Sequence, residues 1–507
     1  MYAYYSICIL NTIQKNAPTP TAKPSRPPQK HSRPTRGARK KADPLLLPTH
    51  FSYAQLLRRF HKLLPAALLM GWLSLAPQAF YLRAFTPLIT LWYFLFQRLS
   101  QNHHLSHVVQ DARDGGADRL SPKGKRLSQQ LSSEATTSFS DARQRLPLDL
   151  LRKCLRHIAQ CVGEAFQTNL WLGHKVALAD GSTLRLRPLG NIAQHFPPHR
   201  PGNCKKPPYW CVSRVVGMFC LATGVVLDSA MGQLTASEQV LCSQLLLQAH
   251  SWVDWVLVTD RNFGVYSVAR SVQQARAHLL SRLTKARAAK MARLAGMPLT
   301  PGLDVRVTWR PSKHDRCPQS LERKPVEGRL VVIRVRRAGR SLTLYLFTTL
   351  LDSKKYTPQA LAQLYGQRWK VELYFRYVKS QMDLGFLECC SAEMARKEWL
   401  AGLCAYNLIR YTMSAAAALA QLPVHVLSFT RARELLQAWL QRAAFGRPTL
   451  RSWIILLTRI AKAQLPKRKK PRPSEPRAVR PFRKDHTTLE GSRAAARNKL
   501  AQTDAKS

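Results

Sequence analysis

The side chains that could do chemistry in this chain begin with one helix-forming run. Tyr365, Arg368, Glu372 and Lys379 stand in it at spacings of three, four and seven. At about 100° per residue these four fall within an arc of roughly 60°. Leu364, Val371, Phe375, Val378 and Met382 make an apolar stripe beside them. One face can therefore pack on a sheet while the next presents a carboxylate between two fixed cations and a phenol. The ordinary reading of Arg368 and Glu372 is i,i+4 pairing on a solvated helix face. The chemical reading is a metal-binding Glu372 among side chains that hold a phosphate backbone.

Two more carboxylates bear on that choice. Asp180 closes the apolar run 175–180 and is followed by Gly181. Asp260 closes the apolar run 252–259. Singly, each reads as a turn or cap residue. Together they are strand-end residues, and α/β sheets gather their sites at strand ends. Three carboxylates around one point repel unless cations neutralise them. Hard oxygen donors of this kind suit Mg²⁺ or Mn²⁺. Two such ions about 3.5–4 Å apart can activate water and stabilise a leaving 3′-oxygen in phosphodiester cleavage.

The elements needed to position these residues follow from the apolar pattern. Residues 55–64, 85–99 and 148–166 have helical spacing, separated by a polar stretch at 111–141. From residue 170 the period changes. Strands are expected over 175–180, 209–221, 224–229, 252–259, 278–283 and 342–349, and helices over 237–250 and 263–274. Residues 285–340 read as a β-rich insertion, 358–383 as one long helix, and 391–460 as helical again. The class is α/β, a sheet with both faces covered. The expected organisation is a disordered basic arm at 1–49 and a helical DNA-binding region at 50–168. A catalytic domain at 169–385, a helical C-terminal region at 386–460 and a disordered basic tail at 461–507 complete it.

Charge names the partner class. Of 507 residues, 79 are Lys or Arg and 28 Asp or Glu, a formal net charge of +51. Self-repulsion of that size opposes compaction unless a polyanion screens it, and basic side chains gain by displacing counterions from phosphates. The 11 cysteines include no Cys-x-x-Cys pair, which excludes a zinc ribbon and points to reduced thiols in the cytoplasm. A zinc site from His195, His199, Cys204 and Cys211 fits no standard spacing. The apolar runs at 63–77 and 80–96 end at or contain proline and are too short to cross a bilayer.

On these residues the chain resembles the insertion-sequence-four (IS-four) family of bacterial transposases. The carriers are Tyr365, Arg368, Glu372 and Lys379 in register, Asp180 in an Asp-Gly-Ser context, and Asp260 in an Asp-Arg-Asn-Phe context. Stretches 83–94 and 141–147 lend weaker support. The resemblance implies a ribonuclease-H-like catalytic core with a β-rich insertion, flanked by helical regions. It implies that Asp180, Asp260 and Glu372 hold two metal ions. Tyr365, Arg368 and Lys379 would contact DNA. It further implies cut-and-paste transposition on terminal inverted repeats and target DNA, by a homodimer in a synaptic complex. Relatives use an aromatic residue of the insertion for a hairpin step. Trp309 is the Trp of that region here, and a core Trp is its simpler reading. The basic segment before residue 50 departs from the family, and a true start near Met70 would remove it. The alternative is a non-catalytic DNA-binding protein derived from a transposase, which loss of a triad carboxylate would indicate.

Overall fold

The computed structural model describes residues 51–466 apart from 77–79, 81–82, 122–124, 167–169, 199–209, 249–250, 338–339 and 446–447, with isolated positions from 492 on. The arm expected over 1–49, nearly all of the tail expected over 461–507, and His199 and Cys204 lie outside the described residues. By compactness the chain divides into Met1–Arg337 with Ser341–Leu465, and Ala338–Arg340 with Pro466–Ser507. The site and the elements that position it belong to the first unit.

Runs rich in Val, Ile and Leu form the strands β1 (Lys175–Leu186), β2 (Cys211–Cys220), β3 (Val226–Gln233), β4 (Trp255–Thr259) and β5 (His278–Arg282). After them come β6 (Asp304–Trp309), β7 (Val326–Arg337), β8 (Arg340–Thr348) and β9 (Phe386–Leu387). They make one nine-stranded sheet in the order β3-β2-β1-β4-β5-β8-β7-β6, with β9 paired to β1. β1, β4 and β5 are parallel, while β2 and β3 run antiparallel as a hairpin beside β1. This is the ribonuclease-H-like core. All five residues of β4 are buried, as a central strand covered on both faces requires.

The insertion differs from its expectation. It opens with a helix, Lys285–Leu294, started by the Thr284 hydroxyl, which accepts the Arg287 N–H at 3.2 Å. Its strands then continue the main sheet, because β8 pairs antiparallel with β5. Trp309 ends β6 and packs edge-on against Phe347, with ring centroids 4.9 Å apart.

Helix Ala392–Leu419 is buried almost along its whole length. A helix apolar on all sides belongs in a core. It packs against helices Leu148–Phe166, Pro87–Leu99 and Leu450–Lys462 and against β3. Gly402 lets the segment before β9 approach the helix, since a Cβ there would lie 2.4 Å from the Leu384 side chain. Asn407 of this helix does for the edge strand what another strand would. Its side-chain oxygen accepts the Val226 N–H at 2.8 Å and its amide donates to the Val226 carbonyl at 2.9 Å. The first residue of the edge strand is thus occupied and not left open for pairing. Among the described residues no helix is long and apolar enough to cross a membrane.

Glu398 ties this helix to the N-terminal helices. It pairs with Arg98 at 3.2 Å and Arg143 at 3.0 Å, all three side chains being buried. Removing one partner of a buried ion pair leaves uncompensated charge and costs about 3–5 kcal/mol. Glu398→Ala is therefore expected to lower the unfolding free energy by that order, and the urea midpoint with it, followed by tryptophan fluorescence. A midpoint equal to wild type would show that the triad does not hold the helices together.

Candidate active site

The parallel pairing of β1 and β4 sets the site. Their register aligns Ala179 with Thr259, so Asp180 and Asp260 follow as the next residues on neighbouring strands. β4 stops there, but β1 does not. The sequence predicts a turn at Asp180-Gly181, whereas β1 runs unbroken to Leu186 and pairs Asp180 with Gly217 of β2. On its other edge β1 pairs with β4 over Lys175–Ala179 and with β9 at Arg185 and Leu186. Residues 180–184 therefore face a notch in the sheet between β4 and β9.

Gly181 explains itself through a residue that sequence reading missed. A Cβ at Gly181 would lie 2.3–2.7 Å from the carboxylate of Glu238. Glu238 is the first residue of helix Glu238–Leu247, which follows β3. In sequence it is an ordinary first-turn acid of a helix. In the fold its Oε2 accepts the side-chain N–H of Asn262 at 2.6 Å, while the Asn262 backbone N–H donates to Asp260 Oδ1 at 2.9 Å. Glu238 is thus a fourth carboxylate at this end of the sheet, linked through Asn262 to Asp260.

Asp180 shows the electrostatic consequence. Burial, and next the charge of Asp260, push its carboxyl up to about 6, with Glu238 adding in the same direction. The Gly181 N–H at 2.9 Å and the Arg368 guanidinium at 3.3 Å oppose the rise without cancelling it. Asp260 Oδ1 also accepts the Phe263 N–H at 3.4 Å, which fixes the turn after β4.

The third carboxylate arrives from a helix that is not continuous. The sequence predicts one helix over 358–383. The structure has Pro358–Gly366, then Lys370–Arg376, then a wide turn over Tyr377–Gln381. Between the first two, the N–H groups of Gln367, Arg368, Lys370, Val371 and Glu372 donate to carbonyls three residues back. This is the tight 3₁₀ pattern, and it begins at Gly366, a poor helix former. Arg368 and Glu372 still meet, at 2.7 Å. Arg368 therefore bridges Asp180 and Glu372. Burial works against its charge, but the hydrogen bond to Glu372, together with the charges of Tyr365 and Asp180, outweighs it and raises its pKa.

Tyr365 lies within electrostatic reach of Asp260 and of Arg282, at the end of β5. Burial raises its pKa, which keeps the phenol protonated as a donor. Lys379, in the wide turn, donates to the Ser182 hydroxyl at 3.0 Å. The approach to this helix is anchored by buried Arg329. It holds Asp304 and donates to the carbonyls of Leu350 at 3.1 Å and Tyr356 at 3.0 Å. The six side chains expected to act together thus lie along one notch.

Among the described residues no three His, Cys, Asp or Glu side chains converge on one point. Glu372 is turned onto Arg368, and Cys211 is buried in β2 away from any such group. The donor chemistry nevertheless fits a hard divalent cation. Hard carboxylate oxygens face one notch, and the raised Asp180 marks a place where positive charge is wanted.

Residues 171–408 match the family described as "Transposase DDE domain". Over 288 residues the chain is 26% identical to a transposase of Escherichia coli strain K12, InsG for insertion sequence element IS4. That match covers 55% of this chain and 61% of the relative, so the chain spans less than two thirds of the relative's length. A solved structure of the piggyBac transposase synaptic complex with hairpin DNA aligns over 86% of this chain and 88% of that one. The identity is 12% and the TM-score 0.37.

The raised Asp180 gives a pH prediction for the metal-free protein. Folding raises this pKa, so the native state binds more protons than the unfolded state between about 4 and 6. Stability contributed at this site is present below that window and is lost as pH rises through it. Asp180→Asn is therefore expected to raise Tm by a few degrees at pH 7.5 in chelator, with the gain shrinking towards pH 4. A pH-independent difference would refute the assignment.

Proposed function

We propose, from the match of residues 171–408 to the transposase DDE-domain family, that this chain is a DNA transposase that cleaves transposon ends and transfers the freed strand to target DNA. The observation that carries the reading is the placement of Asp180 and Asp260 as the next residues after the last β1–β4 pair, with Arg368 joining Asp180 to Glu372.

Asp180, Asp260 and Glu372 are the residues that hold divalent cations, two Mg²⁺ or Mn²⁺ ions on the IS-four resemblance. When bound, the ions supply an activated water or 3′-hydroxyl and stabilise the leaving oxygen. The rest belongs to the chain. Arg368 neutralises the site while no other cation does so, and its fixed fork suits a DNA phosphate once the carboxylates are otherwise compensated. Tyr365 donates from a protonated phenol to a phosphate oxygen. Lys379, held at Ser182, grips the backbone beside the reacting phosphate. The net charge of +51 favours duplex DNA as the substrate, with strong salt dependence. Action on terminal inverted repeats, as a homodimer in a synaptic complex and in the bacterial cytoplasm at the nucleoid, rests on the same resemblance. Retention of all three carboxylates weighs against a non-catalytic derivative.

The test compares wild type with Glu372→Gln on duplexes carrying the element's ends, with Mg²⁺. A metal ligand contributes more than its outer partners, whose loss typically costs 10–100-fold, so cleavage should fall at least about a hundredfold while end binding survives. Equal cleavage by the two proteins would overturn the catalytic role of Glu372.

A further inference from the structure

Beside the notch lies a cavity of about 1380 Å³, walled by the Gln97–Leu105 segment and Arg143 on one side and by β1, the Lys379 turn and β9 on the other. Its charged lining is not uniform. Arg98 and Arg143 are neutralised by Glu398, and Glu388 pairs with Arg187 at 3.1 Å. Asp383 bears on His103. Arg185 and Lys379 remain. Both line the cavity, and among the described residues no ion pair involves either. They act on each other instead, since burial and then the charge of Arg185 lower the Lys379 pKa.

Arg185 is exposed on a rigid mount. It pairs with Phe386 of β9, and its N–H donates to the Gly385 carbonyl at 3.0 Å. Gly385 in turn donates to the Lys379 carbonyl at 3.0 Å. The chain after the wide turn is thus folded back so that two cations share one wall. Asp383, Glu388 and Glu398 share the cavity, but among the described residues none forms an ion pair with Arg185 or Lys379, so these two cations raise each other's cost and a polyanion between them relieves it.

We infer that Arg185, with Lys379, forms a phosphate-gripping site that draws the DNA backbone from the notch into this cavity. The inference rests on the transposase reading and extends it along β1. From Asp180 to Arg185 is five residues, roughly 16 Å at about 3.3 Å each. One strand of B-form DNA carries a phosphate about every 3.4 Å of axis. Arg185 therefore meets a phosphate some four to five steps from the reacting one, while Lys379, at Ser182, meets one about two steps away. The site reads backbone charge and not bases.

The test uses the full chain and a fluorescent duplex carrying the element's terminus joined to flanking DNA, so that the scissile phosphate lies within it. One phosphate at a time is replaced by neutral methylphosphonate over the six nucleotides nearest the cleavage point. Wild type should lose affinity several-fold when the fourth or fifth phosphate is neutralised. Arg185→Ala should bind the unmodified duplex several-fold more weakly, with its log K–log salt slope reduced by about 0.9. It should also lose sensitivity at those positions, and Arg185→Lys should recover part of the affinity. Arg185 is exposed, so Tm should be unchanged, and Arg185→Gln serves as a second neutral variant. Wild-type affinity in both neutral variants, or sensitivity retained at those phosphates, would overturn the inference. If wild type fails to cleave the duplex, the transposase reading itself falls. Normal cleavage with an indifferent Arg185 removes only the added site.

Discussion

The placement of two carboxylates at one level of two adjacent parallel strands is the constraint on which the site depends. The β1–β4 ladder ends at Ala179 and Thr259, so Asp180 and Asp260 leave it side by side as the next residues of the two strands. Their repulsion, sharpened by burial, must be answered by positive charge. In this state Arg368 answers it, reaching Asp180 at 3.3 Å and Glu372 at 2.7 Å. The same guanidinium that balances the site also keeps Glu372 turned from the aspartates.

That balance requires the helical segment to stay over the sheet, and buried polar groups far from the notch see to it. Arg329 pins the chain leading to Pro358 by two carbonyls and by Asp304. Glu398 joins the N-terminal helices to Ala392–Leu419, and Asn407 occupies the first residue of β3. Each is a buried polar group held by named partners, so it favours one arrangement where hydrophobic packing would tolerate several. The insertion takes part in the same way. Because β8 pairs with β5, its strands extend the catalytic sheet and carry their alignment directly to the helix after them.

The sequence shows the chemistry more clearly than the path of the chain around it. Asp180 and Asp260 are legible because each closes an apolar run, a local pattern. Arg368 and Glu372 are legible because four residues of separation survive both helical and 3₁₀ geometry closely enough for the side chains to meet. The illegible part is tertiary. Asp-Gly looks like a turn, yet Gly181 lies within β1 because the Glu238 carboxylate leaves no room for a Cβ. Glu238 itself, far along the chain, carries no local sign of its destination. The break at Gly366 has a hint in the glycine, but the wide turn at Tyr377–Gln381 has none, since its residues suit a regular helix equally well.

The wide turn changes where the signature lysine points. In a regular helix Lys379 would stand on the face of Glu372, as the 100° rule predicts. A turn that takes in an extra residue rotates the residues beyond it, and π-type turns gather at functional positions for that reason. Here Lys379 reaches past Glu372 to Ser182, and Gly385 closes back on the Lys379 carbonyl so that β9 can pair with β1. The continuation of β1 beyond Asp180 supplies both Ser182 and the edge that β9 needs. Had β1 turned at Gly181, neither would exist, and Lys379 would be one more solvated cation. The two departures from the sequence pattern, an uninterrupted strand and an interrupted helix, are therefore one feature. Together they draw Lys379 and Arg185 along the strand and away from the carboxylates of Asp180 and Asp260.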